Sequence, residues 1–299
     1  MFRTTALFLL LILSAGIFPA LTAQEKIGKA GAKIKIVWAE LNTKNYKIEY
    51  EAAIPAQTAH KIGQELEDIL VQYQTLFRFK PSKKMLVRFM DSLNTYEQVG
   101  GNPRMAGFYN PGSGYLVIKQ MPFYELVPVV YHEAFHQYLH AFVGDVRIPI
   151  WFNEGMAVYF EGMQRSAKKN AGGLAPDPNG PLNPNLIKRG KIRMVKDAVN
   201  TRTQIPLETL LKVTHEEFHD KENESLYYSQ SFAVMYYFMQ LSRGKAAINY
   251  MKELKKTGDP EAANAKLFGK KMKNLKKIET HWKGYVRRLD TRLTGSKKK

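Results

Sequence analysis

The chain has 299 residues, 44% hydrophobic and 12% aromatic, which excludes global disorder and leaves room for one large domain or two lobes sharing a core. It contains no cysteine, so disulfides, thiolate metal ligands, a lipidated cysteine and a cysteine nucleophile are all excluded. The 45 lysines and arginines exceed the 27 acids by a formal +18, an excess that favours anionic surfaces. Much of it sits late, at Lys255-Lys256, Lys270-Lys271, Lys276-Lys277, Arg287-Arg288 and Lys297–Lys299. That distribution reads first as solvated helix faces and a frayed tail. No nucleic-acid-binding motif with its aromatic spacing accompanies it, so no specific nucleic-acid partner is expected, whereas an anionic envelope surface fits the charge.

In chain order, Met1-Phe2-Arg3 gives a positive start and Ala6 to Phe18 runs without a charge into Pro19 and Ala20-Leu21-Thr22-Ala23. This is the layout of a secretory signal peptide cleaved after Ala23, and the apolar run is too short to span a bilayer. Export to a periplasm or out of the cell is therefore expected, with no transmembrane segment in the mature chain. Residues 33–39 and 46–54 read as strands, and the apolar positions Ile62, Leu66, Ile69, Leu70, Tyr73, Leu76 and Phe77 predict a helix over 58–78. Met85 to Met90 reads as a strand. Asn110-Pro111-Gly112-Ser113-Gly114 predicts a hairpin between Met105–Tyr109 and Tyr115–Ile118.

From Glu125 the pattern becomes helical, with Pro128 in the first turn and Gly144 as the stop. A second helix is expected from Pro149 past Met163. The Gly/Pro-rich stretch 171–184 reads as too irregular for regular structure, and 207–293 as several helices. The organisation expected is a signal peptide (1–23), a front α/β lobe (24–124), a helix pair (125–165), a connecting loop (166–206) and a helical back lobe with a basic tail (207–299).

The chemistry centres on His132-Glu133-Ala134-Phe135-His136. Residues i and i+4 differ by about 40° around a helix, so two imidazoles point the same way and can take neighbouring corners of a tetrahedral metal. Glu133 can then reach a water beside the metal, take its proton and later deliver it to a leaving amine. The pattern alone is weak, and the chain repeats it at His215-Glu216-Glu217-Phe218-His219. The first copy lies among Leu126, Val129, Val130, Tyr131, Phe135 and Leu139, as a buried helix would, and Glu154 follows as a third candidate ligand. The second lies in a polar stretch and reads as a loop or frayed turn. His140 continues the first face but is carried away from a metal there, so it reads as packing or as support for the ligands. Leu139 and Phe142 stand where the metzincin pattern needs Gly and His, which excludes that class.

Trp151-Phe152-Asn153-Glu154-Gly155-Met156-Ala157 resembles the W-L-x-E-G-x-A segment of gluzincin metallopeptidases, although its spacing from the second His is one residue shorter than in the zinc aminopeptidases of that clan. Over nearly the whole mature chain the sequence resembles the peptidase-MA-like domain family of bacterial exported proteins. The resemblance implies an α+β, thermolysin-like architecture with a mixed sheet in the front lobe. It also implies one Zn2+ per chain held by His132, His136 and Glu154, with Glu133 as general base. Glu161, seven residues after Glu154, matches an acid that supports a zinc-bound His, and Tyr228 matches a Tyr that stabilises the oxyanion, with Tyr227 the adjacent alternative. Gln230-Ser231 replaces the Lys-Gly of the aminopeptidases, so that match is partial. The hairpin at 105–118 would offer the substrate a strand edge. Gly101-Asn102-Pro103-Arg104-Met105 does not match the aminopeptidase exopeptide motif, so an endopeptidase is expected of this exported zinc metallopeptidase. Two other classes stay open: an envelope-binding module for anionic polymers with little turnover, and a non-peptidase zinc hydrolase.

Overall fold

The computed structural model describes residues 35–165, 167–170, 173–176, 182–183 and 189–289. The expected leader and the terminal lysines lie outside the described residues. Within them the alternating segments pair into one sheet: β1 (Trp38–Asn42) runs antiparallel to β2 (Tyr46–Glu51), with Leu41 opposite Ile48. Strand β1 starts at Trp38 rather than at 33, because its partner ends at Glu51. The expected strand residues 52–54 turn instead, with the Ile54 amide donating to the Glu51 carbonyl and Ile54 tucked into the core.

Helix α1 (Ala56–Phe77) buries the predicted stripe apart from the half-buried Leu76 and stops at Arg78, which takes a left-handed φ of 55°. It supplies the crossover that a parallel β2–β3 pairing requires, and β3 (Met85–Met90) matches its expected bounds. After the short α2 (Leu93–Gln98), capped by Ser92, the predicted hairpin forms β4 (Gly107–Asn110) and β5 (Tyr115–Lys119). The strand order is β1-β2-β3-β5-β4, with β3 and β5 parallel, so β4 is the outer strand of a mixed five-stranded sheet.

Helix α3 (Phe123–Val143) crosses this sheet, and the Gln137 side-chain amide donates to the Leu86 and Gly114 carbonyls at 2.9 Å each. It begins after Pro122, so Pro128 lies in the second turn and not the first. There its ring costs the bond to the Tyr124 carbonyl, at a helix end where Tyr124 is exposed to water. Gly144, at φ 76°, ends the helix as expected. Helix α4 (Ile150–Glu161) stops at Gly162, short of the expected Met163.

The segment expected as an irregular loop is not uniformly so. β6 (Gln164–Arg165) pairs with β9 (Leu182–Asn183), and β7 (Ala167–Asn170) with β8 (Gly173–Pro176). Pro176 is tolerated because it closes its strand, where a missing N–H costs least. Helix α5 (Arg189–Thr201) follows inside the stretch read as a connecting loop; its periodicity is strong, with Ile192, Val195 and Val199 on the buried face.

The back lobe contains α6 (Leu207–Lys212), α7 (His215–Phe218), α8 (Glu224–Ser242), α9 (Lys245–Thr257), α10 (Pro260–Phe268) and α11 (Leu275–Arg288). Helix α8 is buried from Tyr228 to Met239 and forms the axis of this lobe. It packs most extensively on α4. Their crossing depends on Gly155, where a Cβ would come within 2.6 Å of the Ser231 carbonyl oxygen. Only a residue without a side chain allows that approach, so α8 is the backstop that sets the position of α4. No helix among the described residues is long and apolar enough to cross a membrane.

Candidate metal centre

The i, i+4 spacing on α3 places the His132 and His136 rings edge-on, with centroids 4.9 Å apart. Both Nε2 atoms face the Glu154 carboxylate presented by α4, at 3.3 Å for His132 and 3.6 Å for His136. All three residues are buried, and one potential ligand atom from each lies within 4.8 Å of the others. Among the described residues no other group of three meets that geometry.

The far side of each imidazole is also held by α4. His132 Nδ1 lies 3.4 Å from Glu161 Oε2, and His136 Nδ1 lies 2.8 Å from Asn153 Oδ1. With Nδ1 turned outward to these acceptors, each Nε2 is turned inward, the ring orientation a metal requires. No hydrogen bond of good geometry reaches either Nε2, the His136 contact at 3.6 Å being too long for one. Two buried imidazole nitrogens without a donor are costly in a protein interior, and a cation shared with Glu154 satisfies both. The residues present therefore fit a divalent metal with nitrogen and carboxylate ligands.

The electrostatics are those of a crowded, dry site. Burial opposes charge on His132, but Glu154 and Glu161 outweigh it and raise the group to about 10. Burial lowers His136 to about 4. Glu133, fully buried, is pushed up to about 7 by burial, with the charge on His132 pulling the other way. Its carboxylate has no hydrogen bond of good geometry, although the Tyr109 backbone amide contributes weakly. The outer strand β4 passes directly over it. A Cβ at Gly107 would lie 3.2 Å from Glu133 Cγ and 3.0 Å from Val129 Cγ1. The strand stays close because position 107 has no side chain.

Other residues singled out in the sequence fall into place around this centre. His140 is no ligand: its Nδ1 meets the Tyr109 hydroxyl at 2.7 Å, tying β4 to α3 one turn beyond the histidines. Gln230, where the aminopeptidases have Lys, is fully buried and clamps the Ile205 backbone, donating to its carbonyl at 2.5 Å and accepting from its amide at 3.0 Å. Tyr228 is buried on α8 with its ring edge-on to Phe218 at 4.9 Å and 6.0 Å from His219; Tyr227 flanks Phe218 from the other side at 5.3 Å.

The second copy of the motif is not the loop or frayed turn expected. It forms the single helical turn α7, closed by a reciprocal cap in which Thr214 and Glu217 satisfy each other's backbone amides. Phe218 is fully buried beneath it. His219 Nδ1 bonds Glu224 Oε1 at 2.9 Å, at the start of α8. The exposed His215 ring lies against that of His219, centroids 4.4 Å apart. It lines a cavity of about 660 Å³ together with Glu154, Asn153, His140, Arg147 and Val213. The sequence reading gives Asn153 no role, although it stands inside the Trp-Phe-Asn-Glu-Gly segment, and takes His215 only as part of a loop or frayed turn.

These features define a class, an α+β protein whose candidate metal centre of two histidines and one glutamate is built between crossed helices. Residues 126–259 match the model of a family described as a protein of unknown function (DUF1570). The matched segment starts in α3 and ends just before α10, so it holds the whole centre and α7 but not the sheet. No curated protein matches the chain.

Proposed function

We propose that this protein is an exported zinc-dependent peptidase of gluzincin type, acting inside peptide chains. The observation that carries the reading is the placement of Glu133. Its carboxylate is buried and without a well-formed hydrogen bond, beside three inward-facing ligands and beneath an outer strand. A metal-binding site with a structural role has no use for such a carboxylate.

His132, His136 and Glu154 would hold the zinc, whose contribution when bound is that of a Lewis acid favouring water addition to a carbonyl. The chain's own groups supply the rest. An extended substrate pairs its backbone with the outer edge of β4, which orients the scissile bond without demanding particular side chains. Glu133 accepts a proton from the attacking water as its oxygen bonds to the carbonyl carbon. The same carboxyl then passes that proton to the amide nitrogen as the C–N bond breaks, leaving a carboxylic acid and an amine, between which the acid's proton is finally transferred to give a carboxylate and an ammonium group. Burial of Glu133, which moves its affinity for a proton toward neutrality, suits both halves of this transfer. Glu161 and Asn153 keep the two imidazoles oriented. The charge-free run behind Arg3 supports export.

The test is digestion of a mixed peptide library by the zinc-loaded protein and by Glu133→Gln. Internal cleavage by the wild type and its loss in the variant are expected. An intact library after incubation with fully loaded wild type refutes peptide hydrolysis.

A further inference from the structure

The late cations do not share one role. Lys255 lies over the Phe79 and Phe142 rings at 5.3 and 4.8 Å, and Lys266 pairs with Glu253 at 3.1 Å, so these serve the fold. Helix α11 is different. Its Leu275, Trp282 and Val286 face inward and are buried, and the opposite arc is exposed. At about 100° per residue, Lys276, Lys277, Arg287 and Arg288 all fall on that arc, with Thr280 and His281 between them. Lys273 is exposed just ahead of the first turn. No carboxylate stands on the arc. The one acid of the helix, Glu279, lies at its flank and is bonded to Lys283 at 2.7 Å. Glu208 of α6, which feels the charge of Lys276, is bonded to Lys212 at 2.9 Å. A merely solvated helix face intersperses the two signs of charge; this one carries a single sign from end to end.

We propose that the exposed arc of α11 is a docking surface for a lipid bilayer with anionic headgroups. Nothing in this depends on peptide hydrolysis. Charge complementarity requires an anion, and the form of the arc favours a surface over a strand. The cations stand on the outside of a helix, a ridge that meets a plane along its length, whereas a polymer strand is held in a groove. No Phe, Tyr or Trp stands on the arc to stack on a base or a sugar. The cationic ends, at 273–277 and 287–288, lie roughly 15 Å apart along the axis, so separate headgroups diffusing in the plane can neutralise each of them. The apolar face of α11 is spent on the core around Trp282, so the contact is electrostatic and leaves the helix outside the hydrocarbon. The sequence after Leu289 adds Arg292 and Lys297–Lys299 against a single acid, Asp290.

The experiment sediments the chain from Gln24 onward, without the expected leader whose apolar run would itself enter a bilayer, with lipid vesicles. These contain phosphatidylcholine alone or with about one third phosphatidylglycerol, at about 50 and about 300 mM salt. The wild type should pellet with the anionic vesicles at the lower salt, leave them at the higher and ignore the neutral ones. The triple variant Lys276→Gln, Lys277→Gln, Arg288→Gln spares the Arg287 bond to the Val199 carbonyl. It should partition on the order of 100-fold more weakly, each cation being worth about fivefold, with its unfolding midpoint kept. The control Lys245→Gln, Lys252→Gln, Lys256→Gln removes three exposed cations from α9 instead and should bind within about threefold of the wild type. Equal binding losses in the two triple variants, or none in the α11 variant, would overturn the assignment. So would a wild type that takes up neutral vesicles as readily or binds no vesicle at all. Preference of the wild type for soluble linear polyphosphate over anionic vesicles at equal phosphate would make a polymer the occupant and overturn it as well. None of these outcomes bears on peptide cleavage.

Discussion

The chain writes H-E-x-x-H twice, and the two copies become different objects. At 132–136 the motif lies within a 21-residue helix packed against a sheet on one side and a second helix on the other. Both histidines are buried there, and each has an α4 partner on its outer nitrogen. At 215–219 the same letters make four residues of helix, one histidine bonded to a buried glutamate and the other facing a cavity. The local spacing is identical, so the difference comes entirely from what surrounds it. A motif sets which side chains share a helix face; a third ligand and oriented imidazoles come from tertiary packing. In this chain that packing is α4, positioned by α8 through Gly155.

The contrast can be sharpened by substitutions on either side of it. Glu133→Gln keeps the shape of the first copy and removes the proposed base; under the peptidase proposal turnover should fall by about 10²- to 10⁴-fold with zinc content unchanged, read by steady-state kinetics beside metal analysis. Glu161→Gln leaves His132, His136 and Glu154 in place but weakens the hold on His132 Nδ1. Zinc affinity should drop by about 10- to 100-fold in a chelator competition. Gly155→Ala forces α4 away from the Ser231 carbonyl; a cost of about 1–3 kcal/mol in denaturant unfolding is expected, with weaker zinc binding because Glu154 is the adjacent residue. The smallest effect belongs to the second copy. His219→Ala removes the bond to Glu224, worth about 1 kcal/mol of stability, and should leave zinc affinity where it was.

How far the sequence could be read depends on whether the information was local. Helix α1 and strand β3 emerge close to their expected bounds because their apolar periods match single faces of one core. The β4–β5 hairpin follows from its Asn-Pro-Gly-Ser-Gly turn. The triad was legible because two of its members share a helix and the third stands in a family-like segment. What escaped was set by partners distant in sequence. The start of β1 is fixed by where β2 ends, and the pairing of 173–176 and 182–183 by strands that the Gly/Pro content conceals. Helix α5 was hidden by that same Gly/Pro-rich neighbourhood. For α7, a polar exterior masked a single buried anchor, Phe218, and nothing near His215 in the chain announces the cavity it faces.

The difference between the copies is tested most directly by counting metal. Purified wild type, His136→Ala and His219→Ala, each loaded with zinc and freed of excess by gel filtration, would be assayed by inductively coupled plasma mass spectrometry. One zinc per chain in the wild type and in His219→Ala, and none in His136→Ala, is the expected result. Zinc retained after His136→Ala, or lost after His219→Ala, would contradict a metal centre built from His132, His136 and Glu154.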